Sequence, residues 1–92
     1  MSYNGWSNYE TWYMNLHFFD GMSPKECGLD VSGDMIDDVS NLAEIMKEMV
    51  GGLFDNVEES NLVTAMARSF ESNVNYREIA RNKLLDYAKE KD

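Results

Sequence analysis

A single histidine and a single cysteine limit what this chain can do chemically. His17 and Cys27 stand ten residues apart. That separation fits no zinc-ligand motif, and two carboxylates would have to complete the set. As a nucleophile and base they are of the right types, but nothing in the spacing brings thiol and imidazole together. His17 also falls off the apolar stripe of its segment, so a solvent-facing ring is expected. Residues 30–41 open with Asp30-Val31-Ser32-Gly33-Asp34, like the start of a calcium-binding loop. The pattern then fails, with Met35 where such a loop needs glycine and Asn41 where it needs a bidentate glutamate. Capping of the next helix by Ser32 or Asp34 accounts for these residues better. Gly51-Gly52 runs into Leu53-Phe54, without the Gly-Lys-Ser/Thr ending of a phosphate loop. The expectation is a protein that is not an enzyme, with no catalytic, cofactor-binding or metal-binding residues.

Carboxylates are another matter. Residues 1–66 hold twelve acids and two bases (Lys25 and Lys47), a net of −10; residues 67–92 hold five acids and six bases, a net of +1, and together they give the −9 of the chain. A polyanion such as DNA or RNA would be repelled by the first two thirds, and an anionic membrane likewise. Within this region Asp34, Asp37, Glu44 and Glu48, with Asp38 alongside, form an ordered row on the polar side of a predicted helix. Steps of three, seven and four residues correspond to rises of about 4.5, 10.5 and 6 Å. These are of the order of phosphate separations on a strand, so such a row suits a basic protein groove that ordinarily holds nucleic acid. A plain solvated helix face is the alternative. Trp6 joins the row as a candidate partner-binding residue, because tryptophan dominates interaction hot spots and the periodicity does not require its burial. It can equally anchor the N-terminus to the core.

The elements that must position these groups are helical nearly throughout. Ninety-two residues make one domain, 1–92, with 43% apolar and 12% aromatic residues, enough for a single modest core. Ser7 and Glu10 have capping-box spacing, and the helix after them places Tyr9, Trp12, Leu16 and Phe19 on one stripe beside Tyr13, ending at Asp20-Gly21. Ser23-Pro24-Lys25-Glu26 offers a second cap for something short. A long helix from about Asp34 to Val50 carries Met35, Val39, Leu42, Met46 and Met49, widened by Ile36, Ala43, Ile45 and Val50. Gly51-Gly52 is expected to stop it. Asn56 and Glu59 can cap a third helix bearing Leu62, Val63, Met66 and Phe70. Asn75 and Glu78 repeat the signature for a last helix with Tyr76, Ile79, Ala80, Lys83, Leu84 and Tyr87 inward, the Lys83 ammonium reaching water. No alternating run competes as a strand. The predicted fold is all-α, a compact single-domain bundle of about four helices whose core brings together Trp12, Leu16, Leu42, Met46, Met66, Phe70, Ile79 and Leu84.

Two stretches add a resemblance. Asn4-Gly5-Trp6-Ser7-Asn8-Tyr9-Glu10-Thr11-Trp12, followed by Leu16, resembles the start of a family of small acidic proteins encoded by bacteriophages, plasmids and other mobile elements. Val74-Asn75-Tyr76-Arg77-Glu78-Ile79-Ala80 is similar to that family's closing stretch, which often has tryptophan at the place of Tyr76. Residues 21–60 depart from it, with Asp20-Gly21-Met22-Ser23-Pro24 where relatives run through a short turn. The resemblance implies a genetic context, an accessory protein expressed in the cytoplasm of a bacterial host; it carries no established activity and no assigned catalytic residues. With the acidity, it leads to an expected inhibitor of a host protein, a defence complex such as a restriction enzyme or CRISPR effector, acting as a DNA mimic in a basic groove. The alternative is a structural or regulatory module that binds through an apolar, Met-rich face on the long helix.

Overall fold

The computed structural model describes residues 3–55 and 62–91. Four α-helices carry the described chain, in the order α1 (Tyr9–Met14), α2 (Met35–Asp55), α3 (Leu62–Ser72) and α4 (Tyr76–Lys91), with a π-helical turn, Asn15–Phe19, extending α1. The fold is all-α; among the described residues the only strand-like pairing is an isolated bridge between Tyr3 and Trp6. That bridge closes on Asn4 and Gly5, at φ 49° and 89°. A two-residue hairpin turn of this kind needs positive φ at both central residues, which asparagine and glycine tolerate best.

The centre of the molecule is α2 laid along α4. Leu42, Met46 and Ile79 are wholly buried, and Val39, Val50, Ala80 and Leu84 close the seam around them. Phe19, Cys27 and Leu29 cap the same cluster from the segment between α1 and α2. At about 25 cal/mol per Å² of apolar surface, such a seam is the main favourable term in a domain this size. The inward set expected on α4 is observed, from Tyr76 to Tyr87.

The structure corrects expectations about packing, one helix end and one side chain. Leu16 is 45% exposed and Met66 62% exposed, so neither joins the core; Trp12 and Phe70 are half-buried outside the core cluster. The reason in α1 is phase. Thr11 is the wholly buried residue, and the π turn, whose i→i+5 bonds take in an extra residue, brings Phe19 inside and leaves Leu16 outside. Ile36, expected at the edge of the stripe, is 77% exposed. Gly51 and Gly52 do not stop α2, which runs on to Asp55. Glycine permits the left-handed conformation that closes a helix but does not impose it. The Lys83 ammonium does not reach outward to water: where the π turn ends it donates to the carbonyls of Phe19 (2.8 Å) and Met22 (2.5 Å), the Phe19 carbonyl also accepting from the Met22 amide at 3.1 Å. Asn56 and Glu59 lie outside the described residues.

Candidate functional site: the acidic side of the long helix

Capping decides which polar groups remain available to a partner. Asn8 caps α1, its Oδ1 accepting from the Thr11 amide at 2.9 Å, in place of the expected Ser7–Glu10 box. Ser7 instead donates its amide (3.1 Å) and hydroxyl (2.7 Å) to Glu78, 71 residues along the chain. Asn75 caps α4 by accepting from the Glu78 amide at 3.1 Å, while its own amide donates to the buried Thr11 hydroxyl at 2.8 Å. Asn8 Nδ2 donates to the Asn73 carbonyl at 2.8 Å, and Asn73 Nδ2 reaches Glu10 at 3.4 Å. The opening and closing sequence signatures are therefore one clasp. Each keeps its own side-chain cap and supplies the return half of a capping box to the other, Glu78 accepting from the Ser7 amide and Thr11 from the Asn75 amide. Ser23 and Glu26 do form the reciprocal box, both bonds at 3.1 Å, on a turn and not a helix.

Asp34 caps α2, accepting from the amides of Ile36 (3.1 Å) and Asp37 (3.3 Å). Four residues on, Asp38 turns toward the core side and is 2% exposed. Its carboxylate accepts from the Ser32 hydroxyl (2.7 Å), the Ser32 amide (3.0 Å) and the Gly33 amide (3.2 Å). The Ser32 hydroxyl, then the Ser32 amide, hold its carboxyl below the usual aspartate range, against a smaller opposing effect of burial. Asp38 is thus a loop-closing residue rather than a member of the surface row. Asp30, Ser32 and Asp34, which made the segment look calcium-like, serve the loop and helix start or face outward.

The remaining members of the row keep their exposure, although Asp34 also holds the cap of α2. Asp34, Asp37, Glu44 and Glu48 are all exposed. At about 100° per residue they fall within a sector of roughly 80°, on the opposite side of α2 from Leu42 and Met46. Aromatic Trp6 is half-buried against the core and lines a hollow of about 390 Å³ with Lys83 and Tyr87. That position favours its anchoring role.

The apolar alternative is relocated. Of the α2 methionines, Met46 is wholly buried, Met49 half-buried and Met35 38% exposed, so the Met-rich side is core. An open apolar surface lies elsewhere. Tyr9 stands 5.6 Å from Trp12, 5.8 Å from Tyr13 and 6.1 Å from Phe70, and Tyr3 packs on Tyr9 at 5.2 Å. Tyr3, Tyr9 and Tyr13 are each about 40% exposed. Sequence reasoning missed this surface because it placed Tyr9, Trp12 and Phe70 on buried stripes, with Tyr13 beside the first, and left Tyr3 unread.

His17 is exposed, as expected, with its ring 4.2 Å from that of Tyr13. Cys27 is buried, and burial pushes its thiol up, away from the reactive thiolate. Tyr76 donates to Glu71 at 2.7 Å, and burial followed by that bond raises its pKa further. No group of three or more potential metal ligands occurs among the described residues. An open hollow of about 600 Å³ between the 25–35 loop and α4 includes Lys25 and Asp38, but that carboxylate is already committed to Ser32 and Gly33. No described helix is long and apolar enough to cross a membrane.

Fold and surface thus define a small all-α protein closed by its own terminal signatures and presenting one acidic helix side. The chain belongs to a family of unknown function, DUF7249, whose model matches residues 1–89. Neither the curated proteins nor the solved structures yield a match.

Proposed function

We propose that this chain is a non-enzymatic binding protein that inhibits a nucleic-acid-handling host protein by occupying its basic groove with the acidic side of α2. One observation carries the reading: Asp34, Asp37, Glu44 and Glu48 are exposed together on the side of α2 turned away from the core. A rigid helix presenting regularly spaced carboxylates, with Lys47 as the one base among residues 34–55, has few internal partners to neutralise it. Its potential steers it toward Lys/Arg-rich surfaces. The resemblance of residues 4–12 and 74–80 to small mobile-element proteins supports a bacterial defence complex, a restriction enzyme or CRISPR effector, as the target in the host cytoplasm. No direct contact with nucleic acid or membrane is part of the reading.

The test has two stages. Tagged protein is used to capture partners from host cells, and the captured protein is identified and assayed for nucleic-acid binding with and without the chain. A triple variant, Asp37→Lys, Glu44→Lys and Glu48→Lys, is then compared for affinity and inhibition. The three side chains are exposed, so helical content is expected to stay unchanged while inhibition is lost. Full affinity in the triple variant would sink the groove-occupation reading.

A further inference from the structure

Most of the apolar stripe of α3 is uncovered among the described residues, and only Phe70 at its end meets another element. Leu62, Val63 and Met66 share one side of this helix with Phe70 and are 74%, 75% and 62% exposed. An amphipathic helix ordinarily turns such a stripe onto a core. Eleven residues are also too few for a helix to hold its shape in water unaided, since isolated helices shorter than about 12–15 residues are marginal. Among the described residues α3 buries Thr64 and is tied in at its C-terminal end, where Phe70 meets Tyr9 and Tyr13 and Glu71 accepts from Tyr76. Through Phe70 the stripe continues into the aromatic surface of α1, with Leu16 one turn beyond Tyr13.

With typical side-chain areas, the exposed fractions of these α1 and α3 residues and Tyr3 leave roughly 700 Å² of apolar surface open. A monomer's largest apolar patch is usually about 300–600 Å², whereas one side of a standard interface buries about 800 Å². The size therefore matches half of a stable interface. We infer that this surface is the contact between two copies of the chain, related by a two-fold axis that sets α3 of one against α1 and α3 of the other.

Charge argues for a second copy as the occupant. Two chains of net −9 repel each other over most of their surfaces, and can meet only where charge is sparse. Leu62, Val63, Met66, Tyr13 and Leu16 carry none. A surface of aliphatic and aromatic groups is complementary to itself, as a two-fold contact requires. A basic partner would be selected by carboxylates and not by this face, so the inference stands apart from the proposed target of α2.

Sedimentation equilibrium on the whole chain tests it, in low and high salt and up to about 100 μM, because the mass of a weak homodimer depends on concentration. The expected result is twice the 10.6 kDa chain mass, held or strengthened by salt, since added salt screens the mutual repulsion. Met66→Glu should weaken the dimer at least about tenfold, with the helical circular dichroism retained. Val63→Lys, at a still more exposed position, decides the matter if Met66→Glu loses helix. A wild-type chain at single-chain mass throughout, with or without another protein captured on this face, overturns the inference. A dimer that survives both substitutions in folded protein does the same.

Discussion

Single polar residues carry the connections between chain ends. Thr11 is the clearest case, wholly buried with its hydroxyl accepting from the Asn75 amide. Thr11→Val keeps the volume but leaves that amide unpaired, at a cost of about 1–3 kcal/mol. Each kcal/mol corresponds to about 4–8 °C in Tm at this chain length, which a thermal melt by circular dichroism will read. Asp38 gives a prediction in pH. Its folded-state pKa lies below the unfolded one because Ser32 and Gly33 donate to the carboxylate. The stabilisation is thus complete above the unfolded value of about 3.9 and is lost as pH falls through the lower folded value. Wild type should melt above Asp38→Asn at neutral pH, and the gap should close as pH is taken down through this window. A gap independent of pH would show that the side chain's shape, not its charge, closes the loop.

At the scale of elements, α2 runs through two glycines without turning left-handed. Gly51 and Gly52 are in the helix, and a methyl group added to either meets nothing within 4 Å. Alanine at each position should stabilise by about 0.5–1 kcal/mol, because glycine loses more backbone freedom on folding. The double variant is expected to melt higher with no loss of helical signal; a lower Tm would mean that the C-terminal part of α2 needs glycine's flexibility. The wholly buried Leu42 and Met46 were legible as core because their three-four spacing is a purely local signal. Leu16 and Met66 carry the same spacing and are exposed. Periodicity identifies one side of a helix but not whether another element covers it.

For the whole molecule, the uneven distribution of charge makes salt the discriminating variable. Binding of the proposed target through exposed Asp34, Asp37, Glu44 and Glu48 should weaken as ionic strength rises, since the Debye length shrinks from about 10 Å at 0.1 M to 3 Å at 1 M. Titration of the captured protein at several salt concentrations will measure this. Affinity that is flat with salt would shift the contact from α2 to an apolar surface. Exposed pairs at the rim contribute about 1 kcal/mol or less each, so the loss in the triple lysine variant must come mainly from pairs that the groove desolvates.

By itself the sequence determined the helical class, the cap of α4 by Asn75, the box between Ser23 and Glu26, and the sidedness of the carboxylate row. All of these depend on neighbours three or four residues apart, which a helix brings together whatever else the chain does. Only the tertiary structure decided which of several equivalent partners each polar group took. Ser7 had Glu10 within reach and bonds Glu78; the backbone N–H of Asn75 had the Glu78 carboxylate within reach and bonds the Thr11 hydroxyl, while the Asn75 side chain keeps the Glu78 amide; Lys83 could have faced water and holds the carbonyls of Phe19 and Met22. It also drew Asp38 out of the surface row and turned Leu16 outward. A carboxylate or hydroxyl satisfies any donor of suitable geometry, so local sequence leaves the choice degenerate. Packing α4 against α2 and α1 removes the degeneracy, because it sets the Ser7 amide beside Glu78 and the Asn75 amide beside the buried Thr11 hydroxyl.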